Sequence, residues 1–230
     1  EQYTDLSFIT SRQEIGEEAS AVFNNMALQR LTSEADTMLV APLRFKTVLL
    51  DEMDRQIARA KRGERASMIL KNNSLNDPQI IQKLSEASCA GVRVDMIVRG
   101  ICCVRAGVPG KTENIHIRSI VGRYLEHSRI YSFGEGADAR IYIASGDFLT
   151  RNTERRVEVG VRVDDPRIAR QLRDILDLQL RDTVNARVML PDGSYAKVKP
   201  AEGQPPVDSQ MAMYGYFQHA FEQIDPPGLD

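Results

Sequence analysis

Apolar positions along the chain alternate between two periods, and the alternation sets the expected elements. Residues 37–41 form a short apolar run stopped by Pro42, the pattern of a buried strand. From 45 to 60, Val48, Leu49, Met53, Ile57 and Ala60 recur at helical spacing, and Gly63 follows. Residues 67–70 read as strand and 72–74 as loop. Asp77 and Pro78 supply a cap and a first-turn proline for a helix whose buried face is Ile80, Ile81, Leu84 and Ala87, closed by Gly91. Residues 92–98 are the next strand, with Arg99 and Gly100 just past its end.

That order predicts an α/β fold with a mixed, largely parallel sheet flanked by helices. Ligands of such sheets sit beyond the carboxyl ends of the strands, where Arg99 falls. After a loop at 106–110 the pattern turns strand-rich: 115–120, 129–133 and 140–144, the last two joined by Gly134-Glu135-Gly136-Ala137 as a hairpin, then 156–163 with valine at every second position. Asp165-Pro166 caps a long helix over 166–185, residues 191–194 form a turn, and a proline-bearing linker at 200–207 leads to a last helix over 208–221.

Composition narrows the picture. Hydrophobic residues at 42% and charged residues at 27% describe a globular chain. No apolar run approaches the roughly 20 residues that span a bilayer, and no basic-then-apolar leader is legible. The opening Glu1-Gln2-Tyr3-Thr4-Asp5 reads as the interior of a longer protein. Cys89, Cys102 and Cys103 lack zinc or redox spacing and are expected to be packed, reduced thiols. Three scattered histidines, His116, His127 and His219, do not suggest a metal cluster. The net charge of −2 hides an asymmetry, because residues 93–156 carry eleven Lys or Arg against seven Asp or Glu, and ten of the eleven cations are Arg. Guanidinium forks match phosphate oxygens in pairs, so an anionic phosphate ligand is expected there.

The chemistry concentrates in Tyr124-Leu125-Glu126-His127-Ser128-Arg129-Ile130-Tyr131 and in Ile141 to Asn152, which includes Ser145-Gly146-Asp147. Two residues apart on a strand, His127 and Arg129 face the same way, one offering an imidazole and the other a phosphate-binding fork. Taken alone, each residue also has a plain structural reading. His127 bonds Glu126 or a backbone carbonyl, Arg99 makes a strand-end salt bridge, Arg129 pairs with Glu126 or Asp147, and Asp147 orients His127 or caps the turn.

The layout of a His, a cation two residues on and a downstream Ser-Gly-Asp resembles the phospholipase D superfamily pattern, with Arg129 in the place of its lysine. Longer strings resemble bacterial polyphosphate kinases: Tyr3 to Ser7, Leu70 to Leu75, Ile97 to Cys103, Ser119 to His127, and Thr150 to Asn152. The resemblance is collinear from about Tyr3 to about Phe221, and departs mildly at Gly146 and Phe148, where the family commonly has Ala and Trp. It implies a phospholipase D-like domain over 35–230 preceded by a remnant of another catalytic domain over 1–34. It also implies reversible transfer of the terminal phosphate of ATP to polyphosphate through a phosphohistidine lying upstream of Glu1. Magnesium is implied too, with ligands outside this chain. By position, Tyr3, Arg99 and His127 match nucleotide-contacting residues; Arg129 adds a phosphate contact and Asp147 a supporting role. The implied partners are ATP, ADP and inorganic polyphosphate rather than nucleic acid. The full-length enzyme is expected to be a homo-oligomer, cytoplasmic or peripheral to the inner membrane, and this chain alone inactive. Two rivals remain at this point: a phospholipase D-like phosphodiesterase with His127 as nucleophile, and a non-catalytic polyphosphate-binding or oligomerisation module.

Overall fold

The computed structural model describes residues 3–30 and 35–222. Eleven strands and six α-helices are present among them: β1 (Tyr3–Thr4), α1 (Gln13–Ala27), β2 (Met38–Val40), α2 (Phe45–Lys61), β3 (Ser67–Asn72), α3 (Pro78–Cys89), β4 (Arg93–Val98), β5 (Ile115–Ile120), β6 (Leu125–Glu126), β7 (Arg129–Phe133), β8 (Arg140–Ala144), α4 (Thr150–Glu154), β9 (Val159–Arg162), α5 (Pro166–Leu180), β10 (Ala186–Met189), β11 (Tyr195–Lys197) and α6 (Ser209–Glu222). Nine strands make one sheet in the order β11-β10-β5-β4-β3-β7-β8-β9-β2, while β1 and β6 pair separately in parallel.

The sheet is mixed and flanked by helices, as the apolar pattern predicts. Its parallel pairings are β3 with β4 and β4 with β5, and the other six are antiparallel. The expected run of three parallel neighbours breaks at β2. That strand lies on the far edge against β9, because the β7–β8 hairpin and β9 are inserted between it and β3.

Alternation along β3 divides the core. Met68 and Leu70 join Phe45, Leu49, Leu84 and Val94 under α2 and α3, whereas Ile69 faces the cluster of Ile97, Ile130, Leu172 and Leu176 under α5. Both Asp-Pro starts behave as the sequence predicts. Asp77 accepts from the Gln79 and Ile80 amides, and Asp165 from those of Arg167 and Ile168, each cap contributing about 1 kcal/mol.

Several bounds differ from expectation for local reasons. The valine-alternating strand is shorter than expected, Val159–Arg162, and Glu158 just ahead of it turns its carboxylate to Ser145 and Asn152. Helix α5 stops at Leu180 because buried Asp182 captures the Asn185 and Ala186 amides and turns the chain into β10. Helix α1 was not expected; Ile15, Ala19 and Val22 pack on Met38, Val40 and Val161 at the β2–β9 edge. The expected boundary at 34/35 abuts residues 31–34, outside the described residues. No helix among the described residues is long and apolar enough to cross a membrane.

Candidate functional site

The carboxyl ends of β3 and β4 and the start of β7 converge at one end of the sheet, and the loop carrying His127 crosses there. His127 sits between β6 and β7, just ahead of the strand start at which the sequence places it. Three successive carbonyls of this loop are held by side chains from other elements. The Glu126 carbonyl accepts from Arg99 Nε. The His127 carbonyl accepts from an Arg129 terminal nitrogen at 2.9 Å and from Asn73 Nδ2 at 3.3 Å. The Ser128 carbonyl accepts from Lys71 Nζ at 2.9 Å. Donors of this kind shorten and strengthen such bonds where they carry charge.

The amide side of the loop is held as well. Both the His127 and Ser128 N–H groups donate to the Thr4 carbonyl, at 3.1 and 3.2 Å. That contact continues the pairing of Tyr3 with Leu125 and Thr4 with Glu126. It brings the Tyr3 ring edge-on to the His127 ring, centroids 5.3 Å apart, and Asp5 Oδ2 to 2.7 Å from His127 Nδ1. An imidazole that donates Nδ1–H to Asp5 presents Nε2 with its lone pair. Burial pushes the Asp5 carboxyl up, but the bonds from His127 and the Leu6 amide outweigh it and leave the group below its ordinary value.

Arg129 lies beside the ring, one terminal nitrogen 3.4 Å from each imidazole nitrogen. Its fork is fixed on Asp147, Nε to Oδ1 at 3.1 Å and the other terminal nitrogen to Oδ2 at 3.3 Å. Asp147 also accepts from the Asn73 amide at 2.8 Å, so it orients Arg129 and β3 rather than His127. Among the described residues Arg99 makes no salt bridge; its partners, Asn73 Oδ1 and the Glu126 carbonyl, are neutral oxygens, so its charge is not cancelled by them. An anion arriving here meets one cation held by neutral groups and a second already oriented.

Beneath the loop lies an ion pair that the sequence reading did not assign. Lys71 and Glu126 side chains are 2% and 3% exposed, with Nζ 3.1 Å from Oε2. Glu126 also accepts from Thr4 Oγ1, Gln179 Nε2 and Gln210 Nε2 at 2.7–2.8 Å. Burial pushes the Lys71 ammonium down, and Glu126 opposes that shift. The available signal was a lysine continuing an apolar strand, in the string Leu70 to Leu75. Asp5 and Asn73 were missed likewise, although both lie in strings that carried the resemblance.

All five residues singled out from the sequence meet at this centre. His127, Arg129 and Ser145 also line a cavity of about 650 Å³ together with Phe8, Met38 and Ile143. No three His, Cys, Asp or Glu side chains converge as a metal seat among the described residues. The nearby carboxylates are engaged with His127, Arg129 and Lys71, so these residues do not fit a magnesium site.

Comparisons with known proteins identify the family. The family described as Polyphosphate kinase C-terminal domain 2 matches residues 38–210. The chain is 40% identical over 211 residues to a polyphosphate kinase of Pseudomonas aeruginosa, covering 92% of this chain and 31% of the relative. It is 42% identical over 209 residues to one of Staphylococcus haemolyticus, covering 91% and 29%. The crystal structure of polyphosphate kinase from Porphyromonas gingivalis superimposes with a TM-score of 0.86 at 34% identity, over 93% of this chain and 33% of that one. The chain thus spans about a third of the length of the curated relatives it matches. It belongs to the polyphosphate kinase family, as a chain carrying the family's C-terminal domain 2.

Proposed function

We propose that this chain supplies half of a phosphoryl-transfer site, working in a longer protein that reversibly moves the terminal phosphate of ATP onto polyphosphate. The observation that carries the reading is the His127–Arg129 pair lining an open cavity of about 650 Å³, with Arg99 beyond the end of β4. Charge spreading over a transferring phosphoryl group is stabilised by cations already in place, the part given to Arg99 and Arg129. His127, its Nδ1 engaged by Asp5, has Nε2 available to hold or pass a proton at the leaving phosphate oxygen. The Tyr3 hydroxyl donates to a phosphate oxygen in this reading. In this reading the phosphohistidine lies in a part of the longer protein that this chain does not supply. Magnesium accompanies the phosphates with ligands from outside these residues.

The test pairs the full-length protein with this chain. Full-length protein is expected to form polyphosphate from ATP, and His127→Ala to lower turnover about 10²- to 10⁴-fold. The 230-residue chain is expected to bind ATP or polyphosphate saturably, more weakly after Arg99→Ala, with no sustained synthesis. Full-length protein that neither forms nor consumes polyphosphate, yet cleaves a generic phosphodiester, would place the site among the phosphodiesterases instead.

A further inference from the structure

Lys71 has no donor left over for a substrate. An ammonium offers three N–H bonds, and Nζ meets three acceptors: the Ser128 carbonyl and hydroxyl, each at 2.9 Å, and Glu126 Oε2 at 3.1 Å. Its partner is equally occupied, since Glu126 receives Lys71, Thr4 and Gln179 on one oxygen and Gln210 on the other. The pair therefore touches the residues on both sides of His127 without reaching the cavity that His127 lines.

We propose that the buried Lys71–Glu126 pair is a positioning device for His127, setting its backbone and the side chain that fixes its tautomer. The backbone is set directly, because Lys71 holds Ser128 and Glu126 is itself the preceding residue. The tautomer is set through β1. Thr4 Oγ1 donates to Glu126 at 2.8 Å while its carbonyl receives the His127 and Ser128 amides. The next residue is Asp5, at His127 Nδ1. A carboxylate at 126 therefore determines where the carboxylate at 5 stands.

Buried ion pairs commonly add little stability, because desolvating both charges offsets their attraction. A fully satisfied pair does hold one arrangement of the chain, and here that arrangement is the loop bearing the imidazole. The assignment rests on the phosphoryl-transfer reading only for its kinetic consequence; the geometric part stands by itself.

Two measurements test it. In this chain, two-bond ¹H–¹⁵N spectra of the His127 ring at about pH 8.5, above the ordinary histidine range, are expected to report one Nδ1–H tautomer. Lys71→Met and the milder Thr4→Val are expected to give a mixture while the circular dichroism spectrum is kept. In the full-length protein, Lys71→Met is expected to lower kcat on the order of 10- to 100-fold, with KM for ATP changed less than about threefold. The double variant Lys71→Met/Glu126→Gln leaves no charge of the pair buried, so it regains folding stability while kcat stays low. Recovery of kcat together with stability would overturn the proposal, as would an unchanged ring spectrum in folded Thr4→Val and double variants. If the full-length protein makes no polyphosphate, the functional reading fails and the ring spectra still decide the positioning.

Discussion

Two glutamates are sealed at opposite ends of this sheet, and they are held in different ways. Glu126 and Glu52 are 3% and 2% exposed. Glu126 is met by an equally buried lysine and by hydrogen bonds on both oxygens. Glu52 is met by Tyr142 Oη at 2.7 Å and by Arg55 and Arg140, whose side chains are 53% and 43% exposed; among the described residues its Oε2 has no hydrogen-bond partner. The arginines reach in from solvent and can swing back to it, whereas Lys71 cannot. A carboxylate held from outside ties α2 to β8, and its loss leaves cations that water can satisfy. One held from inside fixes a loop, and its loss strands a charge. The second arrangement is found under the candidate catalytic histidine.

The sharpest way to break this contrast is to remove each carboxylate. Glu126→Leu leaves Lys71 buried and unpaired and is expected to cost about 3–5 kcal/mol. Glu52→Leu is expected to cost about 1–3 kcal/mol, mainly through the Tyr142 hydroxyl left without its acceptor. Urea denaturation of both variants measures the difference, and equal losses would erase the distinction. Glycines near the two centres allow a smaller comparison. A methyl at Gly100 would stand 2.7 Å from the Asn73 carbonyl oxygen and 2.8 Å from Ser74 Oγ. Gly100→Ala is therefore expected to cost about 1–3 kcal/mol and to displace Arg99, weakening anion binding. At the other end a methyl at Gly134 would make only ordinary contacts, the nearest Gln56 Nε2 at 3.5 Å, but φ is +86°, so Gly134→Ala costs about 1–2 kcal/mol of backbone strain, with anion binding unchanged.

The smallest effect is one of pH. The Asp5 carboxyl is held below its ordinary value by His127 and Leu6 against the effect of burial. Its folded value lies under its unfolded one, so its contribution is fully present above about pH 4 and fades as pH falls through the folded value. Stability measured between about pH 5 and pH 2 should fall slightly less steeply in Asp5→Asn than in the parent chain. Identical curves would mean that the contact to His127 has no energetic weight in the folded chain.

The sequence made the frame legible where local chemistry decides the outcome. Asp77-Pro78 and Asp165-Pro166 cap their helices, and the glycines after Phe133 turn the β7–β8 hairpin. His127 and Arg129 meet, as their spacing requires. Of the plain structural readings, one holds directly: Arg129 does pair with Asp147, whereas His127 bonds Asp5 rather than Glu126 and Arg99 meets neutral oxygens rather than a carboxylate. What stayed hidden depends on distance along the chain or on an exception to burial rules. Asp5 lies 122 residues from His127, and no periodicity links them. Lys71 is a lysine in a core, which composition argues against until its carboxylate partner is known. The position of β2 was misjudged because strand order in sequence does not reveal which hairpin will be inserted between neighbours.

The pairing of Tyr3–Thr4 with Leu125–Glu126 also has a consequence in time. It is two residues long, and the Thr4–Glu126 contact within it spans 122 residues of chain, so closing it costs loop entropy for few local bonds. Such a contact opens at lower free energy than the β3–β4 core beneath it. The His127 and Ser128 amides, both bonded to the Thr4 carbonyl, should exchange with deuterium through that brief opening, well before the amides of β3. Their exchange rate is a clock for how often the candidate site comes apart while the rest of the fold stays closed.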